Sequence, residues 1–180
     1  MKIGIIAGAF NPLTRAHVAL AGAAHAHVDE IIFAIPRAFP HKAYNGASLE
    51  HRLEMIRKAI PHRVEVTEGG LFVDIARELR RPGSDVYMVC GRDAAERIVN
   101  WNYGDPHTAQ RMFQDMQLLV ADRQGSYQPP DALRGRIHPI ALPPDFDDVS
   151  SSEVRRRIQA REDWEHLVPE SIVELVRRIY

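Results

Sequence analysis

Lys2-Ile3-Gly4-Ile5-Ile6-Ala7 runs directly into Gly8-Ala9-Phe10-Asn11-Pro12-Leu13-Thr14-Arg15-Ala16-His17. The first six of these residues read as a buried strand, and residues 15–28 as a helix. Between them lie a Gly turn and an Asn-Pro step. A strand that ends in such a turn and feeds a helix offers an anion its free backbone N–H groups and a helix N-terminus. Gly8, Ala9 and Phe10 are the backbone positions placed to approach a phosphate, and Asn11 follows them as a candidate substrate contact. Thr14 and His17 are three residues apart, so they share one helix face and can reach the same anion. The segment points to nucleotide chemistry.

Working outward, strand-like and helix-like runs alternate. Ile31 to Ile35 is a buried-type strand stopped by Pro36, and residues 48–60 have a Ser cap and helical spacing of Leu49, Leu53, Met55 and Ile56. Val64 to Val66 is a short strand, 71–80 a helix, 85–90 a strand ending at Gly91, 117–121 another strand and 136–141 a last one. Helices at about 150–160 and 169–179 close the chain. Continuous apolar strands separated by helices predict an α/β fold: one Rossmann-like, doubly wound parallel sheet with C-terminal helices, in a single domain over residues 1–180. Ligands in such folds sit at the carboxyl ends of the strands. Phe10-Asn11, the stretch from Pro36 to Lys42 and the stretch from Gly91 to Trp101 should therefore converge. Residues 36–47, rich in Pro and Gly around Arg37 and Lys42, form a candidate lid, and 122–135 is a second loop of that composition.

Composition narrows the field. Of 180 residues, 45% are apolar and 26% charged, and the net charge is −1, without the basic excess of a general nucleic-acid binder. Cys90 is the one cysteine, which excludes a disulfide scaffold or a cysteine-rich zinc site, and its apolar setting predicts an inert buried thiol. Asn11-Pro12 and Arg15 interrupt the layout a signal peptide requires, and no apolar run is long enough to span a bilayer. The expectation is a cytoplasmic protein without membrane or nucleic-acid partners.

Gly8 to His17 resembles the GSF(D/N)PxTxxH version of the HxGH signature of the nucleotidyltransferase superfamily. Val149-Ser150-Ser151-Ser152-Glu153-Val154-Arg155 resembles that superfamily's second signature, ISSTxIR. The two lie at opposite ends of the chain in the expected order. The resemblance implies in-line attack of an acceptor phosphate on the α-phosphorus of ATP, with pyrophosphate released and no covalent enzyme intermediate. Catalysis then rests on positioning and charge neutralisation. Thr14 and His17 would donate to phosphate oxygens. Ser151 and Ser152 would present the N-terminus of a helix, and Arg155 a planar fork for the β- and γ-phosphates. Mg²⁺ would be held through the ATP phosphates and water. Read singly, a first-turn His can be structural, Ser150 to Ser152 only a cap, and Arg155 to Arg157 only a solvated face.

Three segments bear on the acceptor. Pro40-His41-Lys42 resembles the PPHK loop of nicotinate mononucleotide adenylyltransferases, whose lysine meets phosphate. Gly91-Arg92-Asp93 followed by Trp101 resembles their GxD…W segment, which implies ribose contacts for Gly91 and Asp93 and a pyridine ring beside Trp101. Leu118 to Gly125 resembles their later strand and Arg-x-Gly loop. Other residues depart. Thr14, Asn11 and Ala16 match the nicotinamide mononucleotide branch. Gly70 to Ala76 lacks the SYT-type loop and resembles a segment of pantetheine-phosphate adenylyltransferases, as do Ser150 to Ser152. The ranking is a pyridine mononucleotide first, pantetheine phosphate second, with a non-catalytic nucleotide-binding regulator as the competitor from another class. A dinucleotide oxidoreductase is disfavoured because GxGxxG and a ribose-binding acid after the second strand are missing.

Overall fold

Alternation along the strands sorts the apolar residues onto two faces of one sheet. In the computed structural model, which describes residues 1–40, 43–101, 108–122 and 125–180, the strands are β1 (Lys2–Ala7), β2 (Glu30–Pro36), β3 (Arg63–Thr67), β4 (Asp85–Gly91), β5 (Gln117–Asp122) and β6 (Ile137–Ala141). Their order is β3-β2-β1-β4-β5-β6, and every pairing is parallel. Ile5 lies opposite Ile32 of β2 and Met88 of β4, so three buried side chains meet at the centre of the sheet. Pro139, which cannot donate to a ladder, falls on the edge strand β6, where that costs least.

Seven helices cover the two faces: α1 (Arg15–Ala24), α2 (Leu49–Ala59), α3 (Phe72–Leu79), α4 (Arg92–Asn100), α5 (Thr108–Asp115), α6 (Ser151–Ala160) and α7 (Val173–Ile179). Ile6, Phe33, Ile35, Val89 and Leu119 point to the face covered by α1, α2, α6 and α7. Ile3, Ile5, Ile32, Met88, Leu118 and Val120 point to the face covered by α3, α4 and α5. This is the doubly wound parallel sheet that continuous apolar strands predict. The chain leaves β1 towards β2 on one side and returns through β4 on the other. The crevice of such a fold therefore opens beyond Ala7 and Gly91.

Two helices differ from their sequence expectation. The first stops at Ala24 rather than running to 28, because His25, Ala26 and His27 are exposed and Val28 turns inward to lead into β2. Val28 also explains Gly4: a Cβ there would lie 2.9 Å from Val28 Cγ2. The last helix is split. A short 3-10 turn over Glu170–Ile172 precedes α7, and Ile172, fully buried, leaves helical geometry at φ −113°, ψ 1°. No helix among the described residues is long and apolar enough to cross a membrane.

Cys90 is buried and free in β4, and burial pushes its thiol up to about 12. Since the thiolate is the reactive form, native protein at pH 8 should react with a disulfide reagent far more slowly than urea-unfolded protein. Stopped-flow absorbance measures both, and equal rates would contradict the burial.

Candidate active site

The turn after β1 is held from three sides. Gly8 N–H donates to Ala34 O on β2 at 3.1 Å. Phe10 takes a left-handed backbone, φ 48°, which a side chain bearing a Cβ adopts only when its surroundings enforce it. Those surroundings are two rings: Phe33 at 5.5 Å between centroids, and His17, edge-on at 5.0 Å. The strain at Phe10 is thus supported by the imidazole it helps to seat.

Thr14 is the N-cap of α1, and its backbone N–H donates to His17 Nδ1 at 3.0 Å. An accepting Nδ1 leaves the ring proton on Nε2, the nitrogen directed away from the cap. The Thr14 hydroxyl, expected on a phosphate, instead lies 2.8 Å from the same Nδ1, and the residue is fully buried. In this arrangement Thr14 orients the imidazole.

The end of the chain closes on this turn. Ser150 caps α6 by accepting the Glu153 N–H at 3.1 Å. Ser151 Oγ donates to Pro12 O at 2.7 Å, and Arg155 Nη1 donates to Asn11 O at 2.5 Å. Arg155 Nη2 donates to Ser152 Oγ at 3.3 Å. The three consecutive arginines therefore separate by role. Arg156 and Arg157 both pair with Glu153, at 2.8 and 2.7 Å, and hold its carboxyl down at about 2. Arg155 alone of the three turns to the first motif. Thr14, His17, Gly91 and Ser151 line one cavity of about 160 Å³, floored by Leu20, Ala121 and Val149. The two motifs from opposite ends of the sequence meet there.

A second cavity, of about 120 Å³, lies on the other face of the sheet. Gly70, Leu71 and Phe72 at the start of α3 form one wall, and Ala94, Arg97, Ile98 and Trp101 of α4 and its end form the other. Trp101 is 47% exposed, unusual for so large an aromatic. Asp93 is exposed in the first turn of α4 and lines the adjoining groove with Glu96 and Asn100. The candidate lid crosses this region: a Cβ on Gly70 would fall 2.4 Å from Pro40 Cδ and 2.5 Å from Ala38 O. Lys42 and His41 lie outside the described residues, as do Asn102, Asp105 and Arg123-Gln124.

Asn11, expected as a substrate contact, has its side chain engaged within the protein. It is 5% exposed, and its Oδ1 accepts both the Ala47 N–H, at 3.1 Å, and the Tyr180 hydroxyl. It ties the turn to the lid's far end and to the last helix. Sequence reasoning also missed Arg52. This α2 arginine is 4% exposed, donates from Nη1 to Ala9 O at 3.1 Å, and stacks over the Tyr44 ring at 4.4 Å. Its buried Nε has no hydrogen-bond partner, and burial pulls its pKa down. Its spacing of three and four from Met55 and Ile56 was the available signal, because it sets Arg52 on the buried face.

Among the described residues no three His, Cys, Asp or Glu side chains gather as a metal site. Fold and site together define a nucleotidyltransferase. The sequence matches the pattern of the cytidylyltransferase-like family over residues 5–157. It is 29% identical to the "Probable nicotinate-nucleotide adenylyltransferase" of Gloeobacter violaceus, covering 98% of this chain and 94% of the relative. It is 30% identical to the protein of the same description in Methylibium petroleiphilum, covering 98% and 88%. The fold superposes on Plasmodium falciparum nicotinic acid mononucleotide adenylyltransferase complexed with NaAD, with a TM-score of 0.73 at 18% identity, over 98% of this chain and 95% of that one. The chain belongs to the cytidylyltransferase-like family and, within it, to the nicotinate-nucleotide adenylyltransferase family.

Replacing Asn11 by Ala strands two donors, the buried Ala47 N–H and the partly buried Tyr180 hydroxyl. We expect a loss of about 1–3 kcal/mol in urea unfolding. Tyr180→Phe, which removes one donor and leaves the acceptor satisfied by Ala47, should cost less.

Proposed function

We propose that this chain transfers the adenylyl group of ATP to the phosphate of nicotinate mononucleotide, releasing pyrophosphate, as a step in NAD biosynthesis. The observation that carries this reading is the pairing of two cavities beyond the strand ends. One is lined by His17 and Ser151; the other is apolar and walled by Trp101. An anion-binding cleft beside a slot for a flat ring suits a triphosphate and a pyridine mononucleotide. The names carried by the relatives support the same acceptor.

In the reaction an oxygen of the acceptor phosphate bonds to the α-phosphorus, and the bond from that phosphorus to the bridging oxygen of pyrophosphate breaks. Charge moves towards the leaving group, so donors fixed beforehand lower the barrier most. His17 Nε2–H, locked in tautomer by the Thr14 backbone, donates to a phosphate oxygen. The free N–H groups at the start of α6, with Ser151 and Ser152, favour the polyphosphate through the helix dipole. Arg155 adds a guanidinium at the junction of both motifs, and Lys42 a further cation for phosphate. The backbone of Gly8, Ala9 and Phe10 faces the α-phosphate, while Gly91 and Asp93 take the ribose. Mg²⁺, held through the triphosphate and water, would supply further charge neutralisation.

The test is pyrophosphate release from ATP with nicotinate mononucleotide, nicotinamide mononucleotide and phosphopantetheine assayed side by side. Turnover confined to phosphopantetheine, or ATP binding with no turnover on any acceptor, refutes the proposal. His17→Ala should lower kcat by at least about a hundredfold with the native circular-dichroism spectrum retained, the scale of losing one fixed transition-state donor. Trp101→Ala should act chiefly on the KM of the pyridine substrate; a change confined to ATP would place Trp101 elsewhere.

A further inference from the structure

We propose that Arg97 sets the acceptor's identity by pairing with a ring carboxylate in the cavity between α3 and α4, so that the enzyme selects the acid over the amide form of the pyridine. The inference deepens the function proposed above and rests on it for the identity of the acceptor. Arg97 is one helical turn before Trp101, so the two share a face of α4, and both line this cavity and the adjoining groove. Among the residues that line the cavity, Arg97 is the one charged side chain. The rest are glycine, aliphatic or aromatic: Gly70, Leu71, Phe72, Ala94, Ile98 and Trp101.

A carboxylate-bearing ring seated against Trp101 needs a counter-charge or converging donors, because burying an unpaired carboxylate is costly. The N-terminus of α3 offers N–H groups, yet Asp74 already stands in its first turn and partly answers the positive end of that helix. Arg97 is better free to serve. Its Nε donates to the Asp93 backbone carbonyl at 3.3 Å, which fixes the stem, and it forms no ion pair among the described residues. The nearby acid Glu96 is engaged by Arg92 at 2.8 Å. The remaining guanidinium donors form a planar fork that matches a carboxylate in two parallel hydrogen bonds. A carboxamide offers one acceptor oxygen, no charge, and an NH₂ group that meets the fork donor to donor.

The deciding experiment measures kcat/KM for nicotinate and nicotinamide mononucleotides, at saturating ATP, for the wild type, Arg97→Gln and Arg97→Lys. Isothermal titration of each pyridine mononucleotide without ATP runs alongside. Wild type should prefer the acid. Arg97→Gln should reduce that preference roughly tenfold or more, through KM for the acid, with the KM for ATP and the turnover of the amide unchanged. Arg97→Lys should recover part of the preference, since charge remains and the fork is lost. An acid preference that survives in Arg97→Gln overturns the assignment while leaving the proposed function standing. A wild type that turns over neither pyridine substrate overturns both. A fall in melting temperature with equal losses on acid and amide marks Arg97 as merely structural and also overturns it.

Discussion

Two hydrogen bonds join the start of α6 to the turn after β1: Arg155 to the Asn11 carbonyl and Ser151 to the Pro12 carbonyl. The rest of the site depends on them. Without this contact, α6 would present its dipole to solvent, and His17 would face a cavity with no opposite wall. Both acceptors are main-chain oxygens in the turn that bends Phe10 into the left-handed region, so the turn must hold its shape before the two ends can meet. Holding that shape falls to buried groups: Phe33 and His17 around Phe10, Asn11 between Ala47 and Tyr180, and Arg52 beneath Ala9.

Charge around the turn is distributed unevenly, and the imbalance suits an anionic substrate. Glu153 is fully consumed by Arg156 and Arg157, which leaves the carboxylate unable to repel phosphate. Arg155 and Arg52 both bond to neutral backbone oxygens rather than to acids. Arg52 is the extreme case, a buried cation shielded by the Tyr44 and Phe39 rings, its Nε–H without a partner among the described residues. A positive charge kept out of water without a carboxylate raises the potential of the turn above it.

The architecture and the two signature motifs were legible in the sequence, because both rest on local pattern. Apolar strands of the right length sort their own faces, and Ser150 announces a helix start through its side chain alone. What escaped was tertiary. Nothing local tells that Thr14 turns its hydroxyl to His17 rather than outward, since both orientations satisfy the same first helical turn. The side-chain partners of Asn11, Ala47 and Tyr180, are 36 and 169 positions away, beyond the reach of any local pattern. Arg52 was hidden by its type. An arginine on the buried face of an amphipathic helix reads as an exception until the Ala9 carbonyl that receives it is seen. The break at Ile172 likewise follows from where its side chain must lodge, not from any helix-breaking residue at that position.

The sheet itself divides the labour of the two cavities. The cleft of His17 and Ser151 belongs to the face covered by α1 and α6, and the slot of Leu71, Phe72 and Trp101 to the face covered by α3 and α4. The two cavities thus lie on opposite faces of one parallel sheet, and Gly91, at the end of β4, lines the first of them. In the proposed in-line reaction the nucleophile enters opposite the departing pyrophosphate, so an acceptor seated in one cavity and a triphosphate in the other suits that approach. The stereochemical signature of a single such displacement is inversion of configuration at the transferred phosphorus.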